Sequence, residues 1–149
     1  MPRRTASHDL RDTVATRLRS EGQRVTPGRI ALIDALGRAK RPLTLPEILE
    51  RAPGVPTSSA YRNLVVLEEV GVVHRIITNV EHARYELAED LTEHHHHLIC
   101  SRCGSVEDVP ASTTLEQSVE RAAGEIARRT GFRTQHHRVD LVGLCKRCP

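Results

Sequence analysis

His94-His95-His96-His97-Leu98-Ile99-Cys100-Ser101-Arg102-Cys103 is the stretch that orders the rest of the chain. Four histidines run into a Cys-x-x-Cys pair, and a second such pair is formed by Cys145 and Cys148. No other cysteine is present. Together the two pairs supply the four soft thiolates that a tetrahedral structural zinc prefers, and such a closed site keeps no open position for catalysis. A thioredoxin-like redox pair or two separate thiol switches compete with that reading. Two motifs that consume every cysteine favour zinc, as does the cytosolic setting in which paired thiols are metal ligands more often than disulfides.

The histidines are not needed by that site. The bland reading of the run is a solvated polar stretch. On a strand, however, successive side chains face opposite ways, so His94 and His96 would share one face and His95 and His97 the other. Each pair could begin its own site of nitrogen and oxygen donors, a set that suits Fe(II), Mn(II), Ni(II) or Zn(II). Candidates to complete them are His74, Glu86, Asp108, Glu116, His136 and His137. Each has a duller role: Glu116 in a capping box with Thr113, Glu86 as a solvated strand residue, His74 facing solvent. His136 and His137 would point oppositely on a strand, so one of them ligates.

Downstream, 96–100 and 105–109 read as strands joined at Cys103-Gly104. Leu115, Val119, Ala122 and Ile126 mark an amphipathic helix ending at Gly131, and 137–144 alternates as a strand. About 60 residues make a thin core, which a metal cross-link or an oligomer interface would support.

Upstream, 1–8 is polar and basic and is expected to be a flexible arm. Leu10, Val14 and Leu18 fall on one face of a helix over 9–21. Thr26 and Pro27 suit the N-cap and first position of a second helix, with Ile30, Ile33 and Leu36 inward. Thr44-Leu45-Pro46-Glu47 is a capping box opening a third, with Leu45, Ile48 and Leu49 inward. Thr57, Ser58 or Ser59 can cap a fourth, ending near Gly71, with Ala60, Leu64 and Leu67 inward and Tyr61, Arg62 and Asn63 in its first turns. Residues 72–77 and 83–87 form a hairpin. Three helices and a hairpin, behind an extra leading helix, are the order of a winged helix-turn-helix, whose last core helix enters the major groove. The alternative is a small helical domain whose hydroxyls only cap helices.

The fold class expected is therefore α+β: a winged helix-turn-helix DNA-binding domain over 1–88, a hinge over 89–93, and a small α/β metal-binding domain over 94–149. The 149 residues carry a net charge of +3, with a sequence pI of about 8.9, a mild hint of a polyanionic partner. Two Tyr, one Phe and no Trp leave no stacking platform for single strands, while duplex DNA stays open. No apolar run suggests a membrane span or signal peptide, so a cytoplasmic protein is expected.

These features together resemble the ferric uptake regulator family. The resemblance runs from about Leu10 onward and is carried by Arg24-Val25-Thr26-x-x-Arg29, Ala60-Tyr61-Arg62-x-Leu64, Gly71-Val72-Val73, the stretch from His94 to Gly104, and Cys145-x-x-Cys148. It implies a homodimer built by the C-terminal domains that binds an AT-rich palindromic operator when metal is loaded. By position it implies structural Zn(II) at Cys100, Cys103, Cys145 and Cys148. A regulatory site would use His95 and His97 with Glu86, His74 and Asp108, and a second site His94, His96, Glu116 and His137. DNA contacts would come from Arg24, Arg29, Ser59, Tyr61 and Arg62.

The regulatory metal would be Fe(II) or Zn(II), with Mn(II) or peroxide sensing behind. Pro42 stands where iron sensors often have His. Ala88 follows the second wing strand, where many zinc sensors have Cys, and His74 stands where they have Asp. His96 replaces an Asp of several iron sensors, and Asp108 keeps the peroxide-sensing ligand set open. Two other classes compete. A zinc deaminase needs His-x-Glu and Pro-Cys-x-x-Cys, which are absent. A metal buffer or metallochaperone would leave Tyr61, Arg62 and the helix-turn-helix order unexplained.

Overall fold

The structure, a computed structural model, describes residues 3–78 and 82–149. Helix α1 spans Arg3–Ser20. It begins inside the segment expected to be a flexible arm, of which Met1 and Pro2 lie outside the described residues. Only Ala6 is apolar in Arg3–His8, so periodicity could not reveal a helix there; backbone hydrogen bonding simply continues from the nucleus that Leu10, Val14 and Leu18 anchor. Val14 and Leu18 are fully buried.

Helix α2 (Pro27–Arg38) starts where Thr26 Oγ1 accepts the Arg29 N–H at 3.3 Å. It buries Leu32, Ile33, Ala35 and Leu36, whereas Ile30 is only partly covered. Strand β1 (Leu43–Thr44) runs straight into α3 (Leu45–Arg51). Here the capping box closes: the Glu47 N–H donates to Thr44 Oγ1 at 3.4 Å, and the Thr44 N–H donates to Glu47 Oε2 at 2.8 Å. Of the three apolar residues expected inward, Ile48 is buried, and Leu45 and Leu49 only partly. Helix α4 (Thr57–Glu69) buries Ala60, Leu64 and Leu67 but has no side-chain cap. Pro56 occupies the N-cap, so the Thr57, Ser58 and Ser59 hydroxyls expected to cap it fall inside the first turn.

The hairpin of β2 (Val73–Ile76) and β3 (Arg84–Leu87) gains β1 as a third strand, in the order β1-β3-β2. Two residues are too short a strand for alternation to reveal. A 3-10 turn, Glu89–Leu91, leads to β4 (His95–Cys100), which pairs antiparallel with β5 (Val106–Pro110) and parallel with β6 (Asp140–Gly143). Helix α5 (Thr113–Thr130) connects them. Ser112 caps it, rather than the Thr113–Glu116 box, and Gly131 ends it at φ 73° in the left-handed conformation that a Cβ disfavours.

The two halves differ in how much they bury. One apolar core joins all four N-terminal helices and their hairpin. The second half has no buried residue on α5 or β6, and its Ile99 and Val106 complete their cluster with Ile76 from the hairpin. Polar staples reinforce this seam. Arg84 Nε donates to the Gly104 carbonyl at 2.8 Å, and Arg17 pairs with Asp90 while reaching the Gly71 carbonyl at 2.6 Å.

Glu47 gathers several of these ties. Burial raises its carboxyl, but hydrogen bonds from Arg41 and from the Thr44 N–H and hydroxyl outweigh it and hold the group at about 2. The folded value is depressed, so the stabilisation is complete above about 4.5 and is lost as pH falls toward about 2. Substituting E47Q should cost about 1 kcal/mol at neutral pH and flatten acid unfolding in that window. Urea denaturation at pH 7 and pH 3 checks this: an equal E47Q penalty at both would contradict it.

Candidate metal centres

Three groups of ligand-type side chains converge, each with its donor atoms within 4.8 Å of one another: Cys100, Cys103, Cys145 and Cys148; Glu86, His95, His97 and Asp108; and His94, His96, Glu116 and His137. The β4 alternation separates the histidines into the two pairs. All four direct Nε2 into their cluster, as does His137.

In the cysteine group Cys103 Sγ lies 3.8 Å from Cys145 Sγ, the spacing of about 3.8 Å that a tetrahedron with Zn–S bonds of about 2.3 Å requires. The chain turns at Cys100–Gly104 and again at Cys145–Cys148 direct backbone N–H groups inward. Those of Cys103 and Cys145 lower the Cys100 thiol to about 6. The Cys148 thiol is instead pushed up to about 12 by burial and by its three sulfur neighbours. One anion is welcomed and the last is resisted, so the full thiolate set calls for a cation at its centre.

The group containing Glu86 is assembled from both halves. Glu86 comes from β3, His95 and His97 from β4, and Asp108 from β5, opposite His97 in register. His95 Nδ1 faces the Glu93 carbonyl at 2.8 Å and its Nε2 faces Glu86 Oε2 at 3.0 Å. His97 Nδ1 faces Asp140 Oδ1 at 3.2 Å and its Nε2 faces the same Glu86 oxygen at 3.1 Å. Each ring therefore has an acceptor on both sides. A neutral imidazole carries one proton, so either a second proton or a metal ion must stand between Nε2 and Glu86. Asp108 Oδ1 is buried with no hydrogen-bond partner, 3.8 Å and 3.7 Å from the two Nε2 atoms. A divalent cation about 2.1 Å from each donor would satisfy all four atoms.

The electrostatics agree. Burial lowers the affinity of both rings for a proton, but Glu86 and the outer acceptors outweigh it, so His95 and His97 titrate above their ordinary value. Burial raises Glu86, and the two histidines more than reverse this. Asp108 is raised by burial and by Glu86 beside it. His74, opposite Glu86 in the hairpin, stays outside the group, and burial together with Arg138 lowers it.

In the third group His96 and Glu116 approach at 2.5 Å, His137 and Glu116 at 2.8 Å, and His94 and His137 bring Nε2 atoms to 3.2 Å of each other. Two imidazole nitrogens face to face again call for a proton or a cation. Glu116 is lowered, chiefly by its hydrogen bond to His96. His137 takes this place and His136 stays exposed.

In the helical half, Tyr61 (53% exposed) and Arg62 project from the first turns of α4, and Arg24 is exposed ahead of α2. Ser59 is half-buried. Arg29 is engaged internally, by Asn63 Oδ1 at 3.0 Å, Gln23 and the Arg24 carbonyl, and so braces α4 on α2.

The Ferric uptake regulator family pattern matches residues 20–142. The chain belongs to that family. Its members are transcription regulators rather than enzymes. The peroxide-responsive repressor PerR of Staphylococcus saprophyticus is 31% identical over 97% of this chain and 94% of its own length. The peroxide operon regulator of Bacillus subtilis is 30% identical, over 96% of this chain and 95% of its length. Among solved structures, the ferric uptake regulator of Pseudomonas aeruginosa with manganese superposes with a TM-score of 0.68, at 27% identity over 88% of this chain and 96% of its own. The family fold, a helical DNA-binding half followed by a small dimerisation domain, is the one described above. Among the described residues no helix is long and apolar enough to cross a membrane.

Sequence reasoning missed Asp140, Glu89 and the Glu93 carbonyl, which engage Nδ1 of His97, His94 and His95. Asp140 reaches His97 only through parallel pairing of distant strands, which no local pattern encodes. Glu89 stands five residues before His94 and could have been noticed as an acid beside the run.

NMR titration of metal-free protein should find His95 and His97 above the ordinary value of about 6.5. Their pairing stabilises the metal-free fold most below that value, and the contribution is lost as pH rises through the folded values. E86Q removes the shared acceptor and leaves the burial, so both should move down. Unchanged titration in E86Q would contradict the assignment.

Proposed function

We propose that the protein is a cytoplasmic, metal-dependent transcriptional repressor that binds a palindromic operator as a homodimer when the Glu86–His95–His97–Asp108 site holds a divalent metal. The observation that carries this is the double-acceptor environment of His95 and His97, in which the shared acceptor, Glu86, comes from the other half of the chain. In this reading 1–88 bind DNA, 89–93 are the hinge and 94–149 bind metal and dimerise. Bound Zn(II) at the four cysteines would supply a structural cross-link, and bound Fe(II) or Zn(II) at the Glu86 site a tie between β3 and the β4–β5 pair.

Glu86 and the two histidines can share a ligand only in the arrangement that brings the halves together. Loading therefore stabilises that arrangement by mass action and shifts the population toward it. Tyr61 and Arg62 on α4 then read the major groove, with Arg24 reaching the adjacent backbone or minor groove. Leu141, Val142 and Leu144, each more than half exposed, suit burial in the dimer. The His94–His96–Glu116–His137 site lies within the second half and would brace it.

A second reading is favoured by the curated relatives: PerR of S. saprophyticus is named as peroxide-responsive. The Glu86 site carries two imidazoles and two carboxylates and no thiolate, a donor set that suits Fe(II). Peroxide sensing at that site is consistent with both facts.

The test is anisotropy on a palindromic operator from the protein's own promoter region, at buffered free metal. Metal should switch binding on and chelation switch it off. R62A should weaken binding by about 1–3 kcal/mol, and metal affinity should fall as pH drops and the histidines protonate. DNA binding that ignores metal would overturn the sensing role. Under the second reading, peroxide abolishes binding by Fe(II)-loaded protein, spares Mn(II)-loaded protein, and leaves an added oxygen atom on His95 or His97.

A further inference from the structure

We propose that Asp140 is a positioning residue for the Glu86–His95–His97–Asp108 centre: its carboxylate holds the His97 ring with Nδ1 protonated, so that Nε2 presents its lone pair to the cluster. The inference rests on the metal reading above and adds a residue to it.

Parallel pairing of β4 with β6 sets His97 opposite Asp140. Asp140 Oδ1 stands 3.2 Å from His97 Nδ1. A neutral ring has one proton for two carboxylates; when a cation takes the Glu86 side that proton must sit on Nδ1, where Asp140, which when ionised can only accept, holds it. That leaves Nε2 as the free donor atom, aimed at Glu86 Oε2 and at the unpartnered Asp108 Oδ1. The His97 side chain is only 9% exposed, so solvent cannot do the same for Nδ1. The ring has a competing choice: moving its proton to Nε2 would let it donate to Glu86 and would block coordination, and loss of Asp140 would favour that choice. A carboxylate on the outer nitrogen weights that choice toward Nδ1–H and makes the inner nitrogen a stronger donor.

The bland reading of Asp140 is a solvated residue at the start of an exposed strand, and its side chain is 46% exposed. His95 argues against it. Its Nδ1 is held by the Glu93 carbonyl, two residues away on the same chain. Asp140 gives His97 the equivalent hold from a strand more than forty residues distant, and only the sheet's register supplies it.

Long-range 15N NMR of the histidine rings reads the tautomer directly, on full-length protein with its cysteine-site zinc retained and the Glu86 site stripped. At a pH where the rings are neutral, wild-type His97 should be the Nδ1–H tautomer. D140A should shift it toward Nε2–H, D140N should do so partly with side-chain volume unchanged, and D140E should restore Nδ1–H. Mn(II) serves as the binding probe, its free ion counted by electron paramagnetic resonance, with E116A present throughout to silence the neighbouring cluster. D140A should bind Mn(II) about 10–100-fold more weakly, and D140E should recover most of the loss. An Nε2–H tautomer in wild type, or equal Mn(II) affinity in D140A, would overturn the proposal while leaving the metal site standing. If H97A binds Mn(II) as tightly as wild type, the metal reading itself falls, and this inference with it.

Discussion

Neighbouring residues on a β-strand face opposite ways, and the rest of this structure follows from applying that rule to four consecutive histidines. On one face of β4 lie Glu86 from β3 and Asp108, which β5 presents on the same face of the sheet; on the other lie Glu116 from α5 and His137 from the segment before β6. His95 and His97 therefore find Glu86 and Asp108, while His94 and His96 find Glu116 and His137. A helix could not have made this division: at 100° per residue the four rings would fan around an axis and share no two clean faces. The two clusters also differ in what they can report. Glu86 belongs to the hairpin of the first half, so its cluster spans the seam. The cluster around Glu116 draws its four members from the second half, and Glu89 of the linker turn meets its His94 from outside.

The second half needs such ties because it buries so little. Its described apolar cluster is Ile99 and Val106, completed by Ile76 from the hairpin. Arg84 links the hairpin to the Gly104 carbonyl beside the first cysteine pair, and Gly143 pairs with Cys100 just before the second pair begins. The four sulfurs thus close the sheet at the end away from the hinge, beside the small Ile99–Val106 cluster. The contrast between Cys100 at about 6 and Cys148 at about 12 expresses one constraint: four anions this close cannot coexist without a cation among them.

Much of the fold was legible in sequence wherever a side chain acts locally. Thr26 with Pro27, and Thr44 with Glu47, mark helix starts because a hydroxyl reaches a backbone N–H within three residues. The inward faces of α1 and α4 were legible because apolar residues recur three and four positions apart. Where an element had no local mark, reading failed. The start of α1 at Arg3 lacks apolar spacing, Pro56 displaced the expected hydroxyl caps of α4, and β1 is only two residues long. At the candidate centres the sequence suggested residue types, and the register of three strands decided the company they keep. His74 stood as a possible partner and lies outside the Glu86 group, and Arg29 turned inward to brace α4. Asp140 was invisible because its relation to His97 exists only once β6 pairs parallel to β4.

The central claim is that the histidine run is two independent sites beside a third made by cysteines. Native mass spectrometry of the protein loaded with zinc and manganese measures this directly. Wild type should carry three metal ions per chain. The H95A/H97A double variant and the H94A/H96A double variant should each lose one ion, a different one, and keep the other two. A single ion held by all four histidines, or one double substitution that empties both sites, would contradict the account.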